Sequence, residues 1–204
     1  GYNSFTMLQL ASATATIAAG GVRHEPHLIQ AYSDPETGRF QSAQRPAGEV
    51  LGYDPAHVAA VLEGMVGVTL DGTSRAVFAG TAYLSGGKTG TAQAVGVRQD
   101  ARYDASKLAE RQRDHSVYIG FAPAEAPQIA VAAIVENAGF GASYAAPMVR
   151  RVMDYWLAGL VPTEDDIAKV IAGKGGAPVG SYPGSFMETG PTVGTEVAQL
   201  PFRP

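Results

Sequence analysis

The sequence predicts an α+β fold in which helices pack against an antiparallel sheet. Helical spacing of apolar residues marks three segments, at 6–19, 54–68 and 144–157. Patterns typical of strands mark three more between the last two helices, at 84–93, 116–122 and 128–136. The turn at 123–127 is short enough for a hairpin, so the last two strands are expected to run antiparallel.

Composition limits the functions that the chain can have. Its 204 residues fit one domain with a tail, and 46% hydrophobic residues can supply a sizeable core. A net charge of −4 lacks the basic footprint of a protein that binds nucleic acid. The absence of cysteine excludes thiol catalysis, disulfides and cysteine-based zinc sites. No apolar run of about 18 residues and no signal peptide is recognisable, so we expect a piece of a longer protein.

The first helix is predicted to begin after Thr6, a good N-cap residue, and to end at Gly20. Residues 22–32 have the composition of a strand, and Pro26 confines that strand to an edge, because proline has no N–H to donate to a ladder. A turn at 33–38 follows, and residues 39–46 are predicted to form a short returning strand and a loop.

His24 and His27 lie three residues apart and invite comparison with metal ligands. No cysteine and no pair of carboxylates accompanies them, so the ligand set of a protein metal site is incomplete. We therefore predict neither a metal nor any other cofactor.

The second helix is predicted to start at Asp54 and Pro55, an N-cap residue followed by proline at the first helical position. Apolar residues at helical spacing continue to about Val68. Residues 70–74 are predicted to be a polar loop, and 75–81 lead into the next strand.

The stretch 84–93 has the most unusual composition in the chain. It reads LSGGKTGTAQ and places one cation, two hydroxyls and three glycines within six residues. Side chains alternate along a strand, so Thr89 and Thr91 share a face, and the long stem of Lys88 can bring its ammonium to the same anion. Gly90 presents no side chain and allows a ligand or another backbone to approach closely. The stretch therefore predicts a carboxylate site on an open strand edge.

Two other interpretations of this stretch are less favoured. A phosphate-binding loop requires glycine at position 82, where the sequence has Ala82, and a helix directly after the lysine, where Gly90 is a poor helix former. An ordinary glycine-rich hairpin strand does not account for the flanking sequence.

The remaining segments suggest how the chain is divided. Residues 98–114 are rich in charge without a clear period, and we predict a long, mobile connection with a solvated surface. The stripe of apolar residues in 144–157 predicts a helix that packs on the sheet. From Ala158 the composition changes towards Gly, Pro, Ser and Thr, so we divide the chain into a folded part, 1–157, and a flexible tail, 158–204.

The string Gly86–Gln93 resembles the Lys-Thr-Gly element of class B penicillin-binding proteins. Further stretches that resemble this family are 1–11, 113–123 and 129–139. The resemblance covers about residues 1–157 and is greatest to the elongation-type enzymes.

The resemblance implies an antiparallel sheet packed between helices, as in penicillin-binding proteins and serine β-lactamases. The family's nucleophile is the serine of an S-x-x-K motif at the start of a helix in an all-helical subdomain, and its second motif is S-x-N. Ser85 to Lys88 fits S-x-x-K by letters only, because glycines follow the serine, and no serine has an asparagine two positions later. We expect a partial domain that lacks the helical part bearing the nucleophile.

The family's activity is that of a peptidoglycan D,D-transpeptidase that β-lactams acylate and inhibit. By resemblance, the terminal carboxylate of a stem peptide or drug would be bound by Thr89, Gly90 and Thr91. Lys88 would supply a positive electrostatic field. The backbone N–H of Thr91 would form half of the oxyanion hole. Phe140 and Tyr144 are weaker assignments to a wall of the cleft, and core or surface packing explains both more simply. Gln93 is a further weak assignment to the site.

The implied partners are peptidoglycan stem peptides, β-lactams, the remainder of the transpeptidase domain, a membrane glycan polymerase and proteins of the elongation complex. The implied location is the periplasmic face of the bacterial inner membrane, with the anchor outside this chain. One alternative is a β-lactamase or D,D-carboxypeptidase on the same scaffold, which the rate of deacylation would distinguish. Another is a penicillin-binding sensor module without catalysis.

Overall fold

A computed structural model of the chain describes residues 4–96, 104 and 107–178. The helices are α1 (Met7–Ala18), α2 (Pro55–Leu70), α3 (Arg75–Phe78), α4 (Ala145–Ala158) and α5 (Glu164–Ile171). The strands are β1 (Val22–Arg23), β2 (Ala31–Ser33), β3 (Phe40–Ser42), β4 (Glu49–Val50), β5 (Gly86–Ala92), β6 (His115–Ala122) and β7 (Ile129–Val135). Helices and antiparallel strands occur together, so the α+β prediction is confirmed.

The main sheet has three described strands in the order β5-β6-β7, and both pairs are antiparallel. In the β5–β6 ladder Thr89 lies opposite Tyr118, and Thr91 lies opposite Ser116. Directly opposed residues project to the same face of a sheet. The two threonines therefore project to the face that carries Tyr118.

Helices cover both faces of this sheet. On one face Tyr118 packs with Val149 and Met153 of α4, and all three side chains are fully buried. On the other face Phe121 packs with Ala18 of α1 and Met65 of α2. Burial of large apolar side chains on both faces is the main contribution to the stability of such a layered core.

The helix starts follow from the capping residues in the sequence. The Thr6 hydroxyl accepts from the backbone N–H of Gln9, and the Gln9 side chain accepts from the backbone N–H of Thr6, which is a complete capping box. At the start of α2 the Asp54 carboxylate accepts from the backbone N–H of Ala56 at 2.8 Å, and Pro55 occupies the first helical position. Both predicted starts are confirmed.

Residues 22–32 do not form the single strand that we predicted. Only Val22–Arg23 and Ala31–Ser33 are extended strands, and they pair with β4 and β3 in two separate two-stranded sheets. Pro26 removes a donor in the middle of the segment, which prevents a continuous ladder. Residues 75–78 form a short helix that the pattern did not indicate.

Strand β7 is covered on both faces, as its uninterrupted apolar sequence predicts, because α1 and α4 both pack on it. Such a run is also typical of a central strand, an expectation that the described residues do not meet. Among the described strands it lies at an edge of the sheet, with β6 as its neighbour. An uninterrupted apolar run indicates that both faces of a strand are covered. It does not indicate how many strands pair with it.

The segment after residue 157 contains structure that composition did not indicate. Helix α5 begins after the N-cap Thr163, and Arg151 of α4 donates to both carboxylate oxygens of Asp166, at 2.9 and 2.6 Å. Both side chains are buried, so the ion pair fixes α5 to α4. Residues 179–204 lie outside the described part, and the boundary at 157 and the flexible tail remain predictions.

None of the described helices has the length and apolarity that would be needed to cross a lipid bilayer.

Candidate functional site

Among the residues that the structure describes, one edge of β5 is open. Strand β6 lies along one side, and no strand among residues 4–96 and 107–178 lies along the other. Along this strand Lys88 and Thr91 are exposed and Thr89 is half-buried. An edge strand with free backbone groups can pair with an extended peptide. Within the described part of the chain, the predicted cation and hydroxyls therefore lie on a strand with one open edge.

The two glycines at the start of β5 allow the strand to lie close to the core. A Cβ atom on Gly86 would lie 2.5 Å from the Phe121 ring, and one on Gly87 would lie 2.6 Å from Cζ of Tyr118. Buried rings on both faces have no room to move away from an added carbon. Packing therefore requires glycine at both positions, and it fixes how closely the strand lies to these rings just before Lys88.

The loop after β7 crosses the sheet beside Gly90. A Cβ atom on Gly141 would lie 2.6 Å from the carbonyl oxygen of Gly90, so the two backbones nearly touch. Ser116 holds this loop, because its hydroxyl donates to the Phe140 carbonyl at 3.2 Å and accepts from the Ala145 N–H at 3.1 Å. The loop forms a border beside the middle of β5.

The weaker site assignments occupy different surroundings. Phe140 lies in this border loop with its side chain 55% exposed. Tyr144 is half-buried beside Gly173, where an added Cβ would lie 2.9 Å from Cε1 of the tyrosine ring and closer still to its Cζ. Gln93 follows the end of β5 and is exposed. Their contribution to a cleft remains a prediction for all three.

The Lys88 ammonium lies at the strand edge. Its Nζ donates to the carbonyl oxygen of Thr89 at 2.7 Å. Within the described part of the chain no carboxylate forms an ion pair with it, so its charge is available to an anionic ligand. A cation next to two hydroxyls and free backbone N–H groups is suited to a carboxylate.

A further hydroxyl, which the sequence did not indicate, reaches the site from the loop between α2 and α3. Thr73 Oγ1 lies 3.1 Å from Thr89 Oγ1, within hydrogen-bond distance. The neighbouring Ser74 is fully buried, and its hydroxyl lies 2.9 Å from the Tyr118 hydroxyl. Thr73 lies 16 positions before Thr89, and Ser74 lies 44 positions before Tyr118, both in a polar loop, so no periodic pattern marks them.

Tyr118 packs against β5 on the sheet face to which Thr89 and Thr91 project. Burial raises the pKa of its phenol to about 12, against a smaller lowering by the Ser74 hydroxyl that bonds to it. Its ring also stacks on Phe78 of α3 at a centroid distance of 5.8 Å. The phenol is therefore neutral at physiological pH and acts as a structural hydrogen-bonding group.

Replacing Ser74 by alanine should leave the Tyr118 hydroxyl buried without this partner. We expect Ser74→Ala to lower the free energy of unfolding by about 1–3 kcal/mol, the desolvation cost of an unpaired buried hydroxyl. The double variant Ser74→Ala/Tyr118→Phe should lose less than the sum of the two single changes, because it leaves no unpaired phenol. Urea unfolding of the four proteins measures the coupling, and strict additivity would contradict this interpretation.

Ser85 does not have the setting of a catalytic serine. It is buried, it directly precedes β5 and not a helix, and its carbonyl accepts a hydrogen bond from Thr69 at 2.6 Å.

The part of the chain that the structure describes contains no group of three His, Asp or Glu side chains that could hold a metal ion.

Known proteins similar to this chain agree on one family. The family described as the penicillin binding protein transpeptidase domain matches residues 1–154. Peptidoglycan D,D-transpeptidase MrdA of Acinetobacter baumannii is 41% identical over 154 residues, and MrdA of Haemophilus influenzae is 35% identical over 167 residues. These alignments cover 74% and 77% of this chain but only 22% and 24% of those proteins.

Solved structures give the same result. A crystal structure of Pseudomonas aeruginosa PBP2 in complex with WCK 5153 is 38% identical, with a TM-score of 0.59 over 78% of this chain and 32% of that one. An imipenem acyl-enzyme complex of penicillin-binding protein A from M. tuberculosis is 30% identical, with a TM-score of 0.60 over 77% and 32% of the two chains. The chain thus spans about a quarter to a third of the proteins that it matches.

Proposed function

The chain belongs to the penicillin-binding protein transpeptidase family, and from this premise we propose that it forms the strand wall of the active site of an elongation-type peptidoglycan D,D-transpeptidase. The observation that supports the proposal most strongly is the open edge of β5, where Lys88, Thr89 and Thr91 lie together. The geometry suits a substrate that is an extended peptide ending in a carboxylate.

In the proposed complex the stem peptide lies along β5 as an added strand. The hydroxyls of Thr89 and Thr91 donate to its terminal carboxylate, and Lys88 supplies the neighbouring positive charge. Gly90 carries no side chain between the threonines, so the peptide backbone can approach. The carboxylate of a β-lactam occupies the same position.

The backbone N–H of Thr91 is the proposed oxyanion donor on this wall. Peptide groups of an antiparallel edge strand point alternately towards the neighbouring strand and away from it. The Thr89 carbonyl accepts from the Lys88 ammonium, which suits a peptide group that points away from β6. Thr91 lies two residues further along and shares that direction, so its N–H is directed towards the substrate.

The nucleophile in this proposal is a serine outside the chain. Its oxygen attacks the carbonyl carbon of the penultimate D-alanine, and the terminal D-alanine leaves with its nitrogen protonated. An amine of a neighbouring stem peptide then attacks the resulting ester, which forms the cross-link and restores the serine hydroxyl. The proposed contribution of this chain is to bind and orient the stem peptide and to stabilise the oxyanion in both steps.

The remaining proposals follow from the relatives and not from the geometry. They are that β-lactams acylate the complete protein, that the protein acts at the periplasmic face of the inner membrane, and that it works with a glycan polymerase and with elongation proteins. The rest of the transpeptidase domain is the partner that this chain requires for catalysis.

Mapping of the penicillin adduct tests the proposal. The complete protein is treated with a penicillin, digested, and analysed by mass spectrometry. We expect one penicilloyl group, on a serine outside residues 1–204, and cross-linking of stem peptides by the untreated protein. An adduct on Ser85 would assign the nucleophile to this chain and contradict the proposal.

The lifetime of that adduct separates the proposal from its alternatives. A transpeptidase keeps the acyl group for a long time when no acceptor amine is present, because it has no efficient water-activating group. Release within seconds would indicate a β-lactamase, and release of terminal D-alanine without cross-linking would indicate a carboxypeptidase. A stable adduct without either reaction would indicate a sensor.

A further inference from the structure

We propose that Thr73 is a positioning residue that orients the Thr89 hydroxyl towards the ligand's carboxylate, an inference that rests on the function proposed above. The inference starts from the distance of 3.1 Å between Thr73 Oγ1 and Thr89 Oγ1. Thr73 comes from the loop between α2 and α3 and not from the strand, so the orientation of a group on β5 is set from a second element.

The position of Thr73 is fixed by its two chain neighbours. The Gly72 N–H donates to the Gly67 carbonyl at 2.9 Å, and the Ser74 N–H donates to the Val68 carbonyl at 3.1 Å. The Ser74 hydroxyl also donates to Val68, at 3.0 Å, and it lies close to the buried Tyr118 phenol. Three hydrogen bonds to the last turns of α2 therefore hold the backbone on either side of Thr73.

The hydrogen count of the two hydroxyls determines how they act when an anion is bound. Each threonine hydroxyl has one proton and two acceptor lone pairs. If Thr89 donates its proton to a carboxylate, it has no proton left for Thr73, so Thr73 must be the donor between the two. The result is a chain in which Thr73 donates to Thr89 and Thr89 donates to the carboxylate.

This arrangement favours a bound anion for two reasons. A hydroxyl that accepts a hydrogen bond becomes a stronger donor, because the bonds in a chain polarise one another. The Thr73 donor also restricts rotation of the Thr89 hydroxyl before the ligand arrives. Water can replace Thr73 as a partner, but a mobile water does not fix the direction of the Thr89 proton.

The test compares two probes on the complete protein: a fluorescent penicillin with a free carboxylate and its methyl ester. The measured quantity is the second-order rate constant of acylation. We expect Thr73→Val to lower the rate with the free acid about three- to tenfold, the range for one hydrogen bond, and to leave the slower rate with the ester unchanged. Thr73→Ser keeps the hydroxyl and should stay within about twofold of the parent protein.

Thr89→Val is the reference for the carboxylate contact itself. It should reduce the rate with the acid and not with the ester, and adding Thr73→Val to it should have no further effect. If Thr89→Val changes both probes equally, the proposed function of the strand fails. If Thr89→Val discriminates between the probes and Thr73→Val does not, only the positioning by Thr73 is overturned. Equal losses with both probes for Thr73→Val, or failure of Thr73→Ser to restore the rate, would also overturn it.

Discussion

Replacement of Lys88 by alanine should nearly abolish acylation of the complete protein by a fluorescent penicillin. The Lys88 ammonium lies at the edge of β5, and within the described part of the chain no carboxylate neutralises it. Two opposite unit charges about 4 Å apart attract each other by roughly 1 kcal/mol in bulk water and about 4 kcal/mol near a protein surface. We therefore expect the rate constant to fall by roughly a hundredfold or more.

A matched control separates the site from the general effect of removing a cation. Lys169 pairs with Asp165 on the surface of α5, at 2.6 Å, and Lys169→Ala changes the net charge by the same amount. Its acylation rate should stay within about twofold of the parent protein, because exposed ion pairs contribute little. Normal labelling of Lys88→Ala would remove this lysine from the site. Equal losses in both variants would assign the effect to net charge.

Most of the fold could be predicted because its elements carry local signals. Thr6 and Asp54 are capping residues that mark the starts of two helices, and the structure has helices at both places. The β6–β7 hairpin follows from two apolar runs separated by a short turn. Each of these signals depends on residues within a few positions of one another, which is the range over which a sequence pattern is informative.

The elements that were not predicted depend on contacts between distant residues. Helix α5 is held by the buried pair of Arg151 and Asp166, which are fifteen positions apart. The surrounding composition is rich in turn-forming residues, and the decisive interaction is tertiary. Composition therefore suggested a tail where residues up to 178 include a packed helix.

The same distinction applies to the candidate site. Lys88, Thr89 and Thr91 are contiguous, and a strand pattern is enough to place them together. Thr73 approaches Thr89 only because α2 ends beside the sheet, where Thr69 donates to the Ser85 carbonyl and Ser74 lies against Tyr118. A hydroxyl in a polar loop has no sequence signature of such contacts. The part of the site that was missed is therefore the part that a neighbouring helix supplies.

Replacement of Thr91 by proline should lower the acylation rate about a hundredfold while the protein remains folded. Proline removes the backbone N–H, and the loss of one oxyanion donor typically costs about 3 kcal/mol of barrier. Proline is tolerated on an edge strand when its nitrogen faces away from the ladder. The residue before it is Gly90, which has no Cβ to clash with the proline ring.

Thr91→Val is the control that distinguishes the N–H from the hydroxyl. It keeps the backbone donor and removes only the side-chain oxygen, so with a free carboxylate on the penicillin we expect a loss of about three- to tenfold. With the methyl ester, Thr91→Val should be close to the parent protein, whereas Thr91→Pro should still be about a hundredfold slower, because the oxyanion forms in both substrates. Since proline also changes the backbone, thermal unfolding of each variant must show the parent's transition. If a folded Thr91→Pro protein is acylated at the parent rate, the oxyanion donor is another group, and β5 only binds the carboxylate.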